Sequence, residues 1–467
     1  MHWVRSSKVF VFLLLTACAV PDMAAPSAAA SMAELRGRIT SPEALESALA
    51  LLPASSLSVA VAALPEARDP ATLDADAPDW WLAMACAFNP QVRAARLALQ
   101  ATLARAGGMG APMALGTESD YMNSAGSGAE LELKVMVDLL GILGIGRSAA
   151  EKELGRSEVR AARGMLALAL WQAQFEAQRA RVTLAARRAL KTDLDLLVKE
   201  AEADQARILQ LQIHGRLAEK DVAAARTQWH RLLEMRSETV GEVANSEAAL
   251  AVACGLPPDA APLTRISLAT IEDFDVPGGV PKMPEPEVAL SARPDMQQLS
   301  LEFAVREAEL RLAARQAIPL LAPAYAPLFA QGMKPQAGAM LRMDINWPTA
   351  VQAGIDEALA RREAASIAWT DAALAAWAQL RATRAEMMAA YENMSVHVPI
   401  VDQATTTSWN AARRSFALDR VMLPDWTMEL ERRMDGLAMM ARHREHGLTK
   451  ILDYLEALGP RSEGVAP

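Results

Sequence analysis

The side chains able to do chemistry are few and far apart. The six histidines, His2, His214, His230, His397, His443 and His446, are scattered along the chain. Only His443-Arg444-Glu445-His446 places two imidazoles at i, i+3, a spacing that puts both on one helix face and could hold a metal given a third ligand. No third ligand is evident, so the pair reads as a solvated face. No glycine-rich phosphate loop and no nucleophile–base pattern stands out, so no enzyme activity and no cofactor is expected. The 23 methionines could serve soft-metal export. Methionine is also a common gap-filler in helical cores, and that reading is preferred. Three cysteines remain, Cys18, Cys86 and Cys254. Cys18 directly follows Leu15-Thr16-Ala17 at the end of a short apolar run, where a thiol is open to acylation.

That setting is a targeting signal. Arg5 and Lys8 precede an apolar run from Val9 to Leu15, too short for a stop-transfer helix. Small residues before a cysteine resemble the bacterial lipobox. The resemblance implies cleavage before Cys18, attachment of fatty acid such as palmitate, and, with Ala19 rather than Asp next, an outer-membrane destination. Residues 1–17 are then signal and 18–77 a lipid-anchored tether rich in Ala, Pro and Ser. Within the tether, Ser41-Pro42-Glu43 is the start of one capped helix.

Composition narrows the class. The 467 residues are 52% hydrophobic but only 5% aromatic, with 22% charged residues of mixed sign, a profile of long helices. A net charge of −9 argues against a nucleic-acid partner. Mean hydropathy is +0.08, yet past the N-terminus no apolar run approaches the ~20 residues that span a bilayer. Three cysteines exclude a disulfide-rich scaffold.

The mature chain repeats itself. Asn89-Pro90 and Arg293-Pro294 each open a helix, 204 residues apart (294 − 90). Cys254-Gly255-Leu256-Pro257 and Leu458-Gly459-Pro460 close the two long helical stretches at the same interval (459 − 255 = 204). Two copies of one structural unit follow. The copies span 78–257 and 289–460, joined by a linker at 258–288 and followed by a tail at 461–467.

Within each copy an alternating segment reads as a strand. Leu131, Leu133, Val135 and Val137 share one face of Glu130–Asp138, with Glu, Glu, Lys and Asp on the other. Leu341, Met343, Ile345 and Trp347 alternate likewise with Arg342, Asp344 and Asn346. Period two suits either the edge of a soluble sheet or a barrel strand between lipid and a wet lumen. The partner segments, Met113–Met122 and Leu320–Gly332, are poor strands, the second carrying Pro323 and Pro327. A helix is expected from Gly146 to Gly215, with Leu190, Leu194, Leu197, Ala201, Ile208 and Leu211 as a coiled-coil seam that Asp204 interrupts. Helices of this length must pack side by side, with one another or with other chains.

This ordered set, helix, β-hairpin, long helix, tip turn and return helix, twice over, resembles the TolC-like outer membrane factors, across residues 78 to 460. The tips carry the resemblance further. Gly215 and Asp221 in the first copy, and Phe416, Asp419 and Asp425 in the second, match the family's tip spacing, and both tips lie 40 residues before the closing glycine (255 − 215; 459 − 419). Departures are Gln212 for the tip aromatic, Asp419 for the tip glycine, Phe416 for a tyrosine and Met428 for a second acid.

The resemblance implies a mainly α chain with a small β part: long coiled-coil hairpins form a trimeric α-barrel, and four short strands per chain join one shared 12-stranded β-barrel. It implies a homotrimer that conducts exported substrate passively across periplasm and outer membrane, with a periplasmic adaptor and an inner-membrane transporter as partners. A lipid-anchored periplasmic scaffold without a complete barrel is the alternative, favoured by the poor strands and few aromatics. Gly215, Arg216 and Leu217, with Asp419, Arg420 and Val421, become the adaptor-docking tips. Asp425 becomes the pore gate and Asp221 its brace, loosened because Phe416 lacks a hydroxyl; helix initiation is the other reading of Asp425. Cys86 and Cys254, brought near one height, are either a disulfide or two buried thiols.

Overall fold

The structure is a computed structural model that describes residues 80–109, 113–118, 130–137, 147–258, 283–316, 320–330, 336–344, 348–418 and 422–460. Cys18, the signal, the tether and the tail lie outside them.

The first copy runs α1 (Trp80–Phe88), α2 (Pro90–Gly108), β1 (Met113–Glu118), β2 (Glu130–Val137), α3 (Arg147–Ile213) and α4 (Glu219–Ala253). The second runs α5 (Pro286–Ala292), α6 (Pro294–Arg315), β3 (Leu320–Ala330), β4 (Gln336–Asp344), α7 (Pro348–Glu392), a π turn at Asn393–His397, α8 (Val398–Ala417) and α9 (Leu423–Leu458). The 67 residues of α3 extend about 100 Å. Its expected seam is real: Leu190, Leu194, Leu197, Ala201 and Ile208 are buried, and Leu211 is half-buried.

Proline at the first turn and a left-handed glycine at the end punctuate both copies. Pro90 and Pro294 start α2 and α6, where a missing N–H costs nothing. Gly255 (φ +64°) and Gly459 (φ +82°) end α4 and α9. After α4 the N–H of Gly255 donates to Val252 O and that of Leu256 to Ala251 O, a Schellman closure.

The closures are tied to the openings by the same device with different side chains. Asn89 Nδ2 donates to Ala253 O at 2.9 Å, and Arg293 Nη1 donates to Ala457 O at 3.0 Å. Both pairs are equivalent at the 204-residue interval. Asn89 also accepts from Gln91 N at 2.9 Å, capping α2. Arg293 instead grips Asp295 through two nitrogens, at 3.0 and 2.7 Å, and Gln379 at 3.1 Å. Partial burial pushes the Asp295 carboxyl up, but Arg293 outweighs it and holds the group below the usual range.

The strands form one antiparallel sheet in the order β1-β2-β3-β4. β3 contains both prolines, against the expectation of a weak strand. The ladder accommodates them. Pairing of β2 with β3 lapses between Glu132↔Leu328 and Val135↔Tyr325, across Pro327, and ends at Met136↔Ala324, before Pro323. On the other side β3 pairs without a break to β4, including Pro323↔Leu341 and Pro327↔Ala337. Proline lacks a donor, so it is tolerated where the ladder needs none. The fourth strand also begins earlier than its alternating pattern, at Gln336. Ile345, Asn346 and Trp347 fall outside the described residues.

The helices follow the sheet's order. α2 packs on α3, α3 on α6 and α6 on α7; towards the tips, α4 packs on α3, α3 on α9, and α9 on α7 and α8. Three apolar clusters fill these seams. One joins α1, α2, α3 and the end of α4 around Leu166, Leu170 and Leu250. A second joins α3, α7 and α9 around Trp171, Leu380, Ile451 and Tyr454. The third lies nearest the tips, around Ile208, Leu232, Trp409 and Trp426. Met387, Met394, Met434 and Met440 are buried in these clusters, as gap-fillers. No helix among the described residues is long and apolar enough to cross a membrane.

Candidate functional site: the hairpin tips

The first tip is built around Gly215. Its φ of +68° turns the chain, its N–H donates to Gln212 O, and Arg216 N–H donates to Leu211 O, both at 2.9 Å. Arg216 is exposed and Leu217 half-buried. Asp221 lies in the first turn of α4 and Asp425 in the first turn of α9, where a carboxylate meets the positive end of the helix dipole. Asp425 is exposed and Asp221 half-exposed. Asp419, Arg420 and Val421 lie outside the described residues.

Behind the tips is a cluster that sequence reasoning missed. Trp426 Nε1 donates to Asp204 Oδ2 at 3.0 Å, and Arg413 Nε donates to the same oxygen at 3.0 Å. Trp409 Nε1 donates to Glu200 Oε2 at 2.8 Å, and Arg413 Nη2 to Glu200 O at 3.2 Å. The indoles pack with centroids 5.8 Å apart, and Phe416 lies 6.2 Å from Trp426. Both indoles are almost fully buried, so each N–H requires an acceptor. Asp204, which looked like a break in the seam, is that acceptor. Phe416 brings no hydroxyl, but two indoles and a guanidinium bind the second hairpin to α3 instead. The signal was present in the sequence as one acid at a core position of a heptad, with Trp409 and Trp426 in the other hairpin.

Ion pairs continue along α3 away from the tips. Arg187 reaches Glu242 on α4 at 3.0 Å and Glu445 on α9 at 3.4 Å. Arg179 reaches Asp453 at 2.9 Å and also holds Glu456. Cys86 and Cys254 share the cluster nearest the repeat closure, and both are buried thiols. Burial pushes Cys86 up to about 11, against a hydrogen bond from Gln174, and pushes Cys254 up to about 12, helped by Cys86 and Glu176. Among the described residues no group of three or more potential ligands could hold a metal, His443 and His446 included.

A four-stranded sheet with edges at β1 and β4 and two long helical hairpins, one from each copy, define the architecture. No family model matches the chain, and no curated protein matches it. Solved structures do. The outer-membrane channel OprN superposes with a TM-score of 0.68 at 15% identity, covering 86% of this chain and 95% of that one. The CmeC outer membrane channel of Campylobacter jejuni gives 0.66 at 11%, covering 86% and 91%. The open state of the MtrE outer membrane channel of Neisseria gonorrhoeae gives 0.65 at 12%, covering 82% and 88%. The chain therefore has the fold of the TolC-like outer membrane channels.

Proposed function

We propose that three copies of this chain close head to tail into an outer membrane channel, the passive exit duct of a tripartite efflux or secretion system. The observation that carries this is the sheet order β1-β2-β3-β4, which leaves β1 and β4 as edges. Unpaired edges are prohibitive in lipid, and closure is the remedy. Four strands cannot close alone; three copies make a 12-stranded barrel. The helices end in matching edges. Leu97 and Leu103 are exposed on α2, and Leu359, Ile367, Trp369 and Leu374 on α7, so each chain offers an apolar rim to the next. Cys18 is acylated and anchors the chain at the outer membrane. The tips, with Arg216 and Arg420 repeated around the ring, dock a periplasmic adaptor that links to an inner-membrane transporter. Three Asp425 carboxylates near the axis favour cations.

A second reading, a lipid-anchored periplasmic scaffold, draws on the six residues of β1 and eight of β2, short of the ~9–11 that cross a bilayer. Conductance in a planar bilayer separates the two. Discrete channels from heat-modifiable trimers support the duct; trimers that never conduct favour the scaffold. Loss of fatty-acid labelling in Cys18→Ser tests the anchor.

A further inference from the structure

We propose that the acidic segment 66–79, which leads into α1, docks along a basic stripe on α3. Lys152, Arg156, Arg160 and Arg163 follow one another at intervals of four, four and three residues, so they line one face of the first turns of α3. All four are exposed. Among the described residues none of them makes an ion pair; Arg160 donates to Ser157 Oγ at 3.1 Å. The acids near them are committed elsewhere. Glu151 and Glu158, round the helix, pair with Arg147 and Arg105, and Glu153 pairs with Arg311 of α6. Like charges at this spacing destabilise a helix, so the stripe gains from an anionic chain laid along it.

The placement of α1 identifies the occupant. Lys152, Arg163 and Gln174 are spaced by 11 residues (163 − 152; 174 − 163), about three turns, so they point the same way from α3. Gln174 Nε2 donates to Cys86 Sγ of α1 at 3.5 Å, so α1 lies over the face that carries the stripe. The residues that enter α1 are acidic: Glu66, Asp69, Asp74, Asp76 and Asp79 stand against one cation, Arg68. Fourteen extended residues reach up to ~46 Å, and the stripe lies ~16–33 Å from Gln174 along α3. Pro70 and Pro78 favour extended backbone at the residues before them. In extended chain Asp74 and Asp76 fall on one side ~6.6 Å apart, close to the ~6 Å rise from Lys152 to Arg156. A lipid surface fits less well. The stripe is ~17 Å long and runs along α3 away from the sheet, so with the sheet in a bilayer a plane of headgroup phosphates would meet one end of it only. A chain can follow its whole length, and docked there it fixes where the N-terminal tether leaves the helical wall.

The test is the mobility of a spin label at Ala75→Cys in the full chain in neutral detergent, with Cys86 and Cys254 replaced by alanine and the chain lacking Ala75→Cys as background. At low salt the label should be immobilised, and 1 M salt, where charges are screened within ~3 Å, should free it. Reversing the stripe with Lys152→Glu, Arg156→Glu and Arg163→Glu should lower the ratio of immobilised to free label ~5–30-fold. Asp69→Lys, Asp74→Lys and Asp76→Lys, which leave α3 untouched, should do the same. The two reversals combined should immobilise the label again. Arg105→Gln, which breaks an exposed pair on the other face, should change nothing. Equal mobility in parent and both reversals overturns the docking, as does a combined variant whose label stays free or an Arg105→Gln variant that frees it. Release of the parent's label by phosphatidylglycerol but not phosphatidylcholine assigns the stripe to a lipid surface and overturns the proposal. Oxidative crosslinking of Ala75→Cys to Val159→Cys should leave the chain at monomer mass on a denaturing gel; covalent oligomers would seat a neighbouring copy's segment and overturn the assignment to the chain's own. No readout involves conductance, so the docking and the duct reading stand or fall separately.

Discussion

Three glycines with positive φ give a graded test of the fold from one substitution. Gly215, Gly255 and Gly459 have φ of +68°, +64° and +82°. Positive φ alone costs alanine about 1 kcal/mol at Gly215 and Gly255, whereas Gly459, at φ +82° and ψ 173°, lies in a region almost restricted to glycine and costs ~2–3 kcal/mol. Their surroundings then separate them. At Gly215 a Cβ meets nothing within 4 Å. At Gly459 it lies 3.1 Å from the carbonyl carbon and oxygen of Ala292, tight but short of collision. At Gly255 it falls 2.1 Å from Phe88 O and 2.5 Å from Phe88 C, so the backbones of α1 and the α4 closure must part. Parting them strains the Asn89–Ala253 bond, worth ~1 kcal/mol, and opens the apolar cluster around Met84, Cys86 and Leu256. The expected costs are about 1 kcal/mol for Gly215→Ala, about 2–3 for Gly459→Ala and at least about 3–4 for Gly255→Ala. Hydrogen exchange of peptides covering 80–108 and 244–256 reads the opening of the first copy, and of peptides covering 286–312 and 448–460 that of the second. A gap of ~1 kcal/mol between the closing glycines is about 5-fold in opening constant. Gly459→Ala opening its copy as readily as Gly255→Ala, or Gly215→Ala matching either, would refute steric closure as the reason for these glycines.

The thiols carry a pH signature. Both are raised above the unfolded value of 9.0, so their contribution is full below pH 9 and is lost as pH rises through about 11 and about 12. The parent should therefore lose more stability than Cys86→Ala with Cys254→Ala on alkaline titration, and thiol reagents should react only after unfolding. In the second copy, Arg293→Ala removes the side-chain donor of Ala457 O and leaves Asp295 with only the Met296 N–H, and should cost ~2–3 kcal/mol. Arg293→Asn, installing the residue of the first copy, should recover part of this in chemical denaturation. Asp425→Asn should lower cation selectivity and weaken divalent block in single-channel records. A change confined to thermal stability would make Asp425 a helix-start residue only.

Which features were legible follows from their range. The duplication, the helix limits and the seam are local patterns repeated many times, and the 204-residue interval is obeyed even by Asn89–Ala253 and Arg293–Ala457, whose side chains differ. Proline and glycine mark turns through their own backbone limits, so Gly215 and Gly255 could be placed without neighbours. The strands were harder because a ladder is a relation between segments. Pro327 weakens β3 as a sequence but is harmless where β2 makes no bond, and nothing in residues 320–330 says where that is. The acidic cluster behind the tips was hardest. Asp204 alone is a flaw in a heptad, and Trp426 alone is a core residue. Their meaning appears only when α3 and α9, 222 positions apart at this contact, lie side by side. A charge at a seam position is costly unless paired. An interrupted seam in one hairpin is therefore reason to look in the other for a buried donor, and here Trp409, Arg413 and Trp426 are those donors.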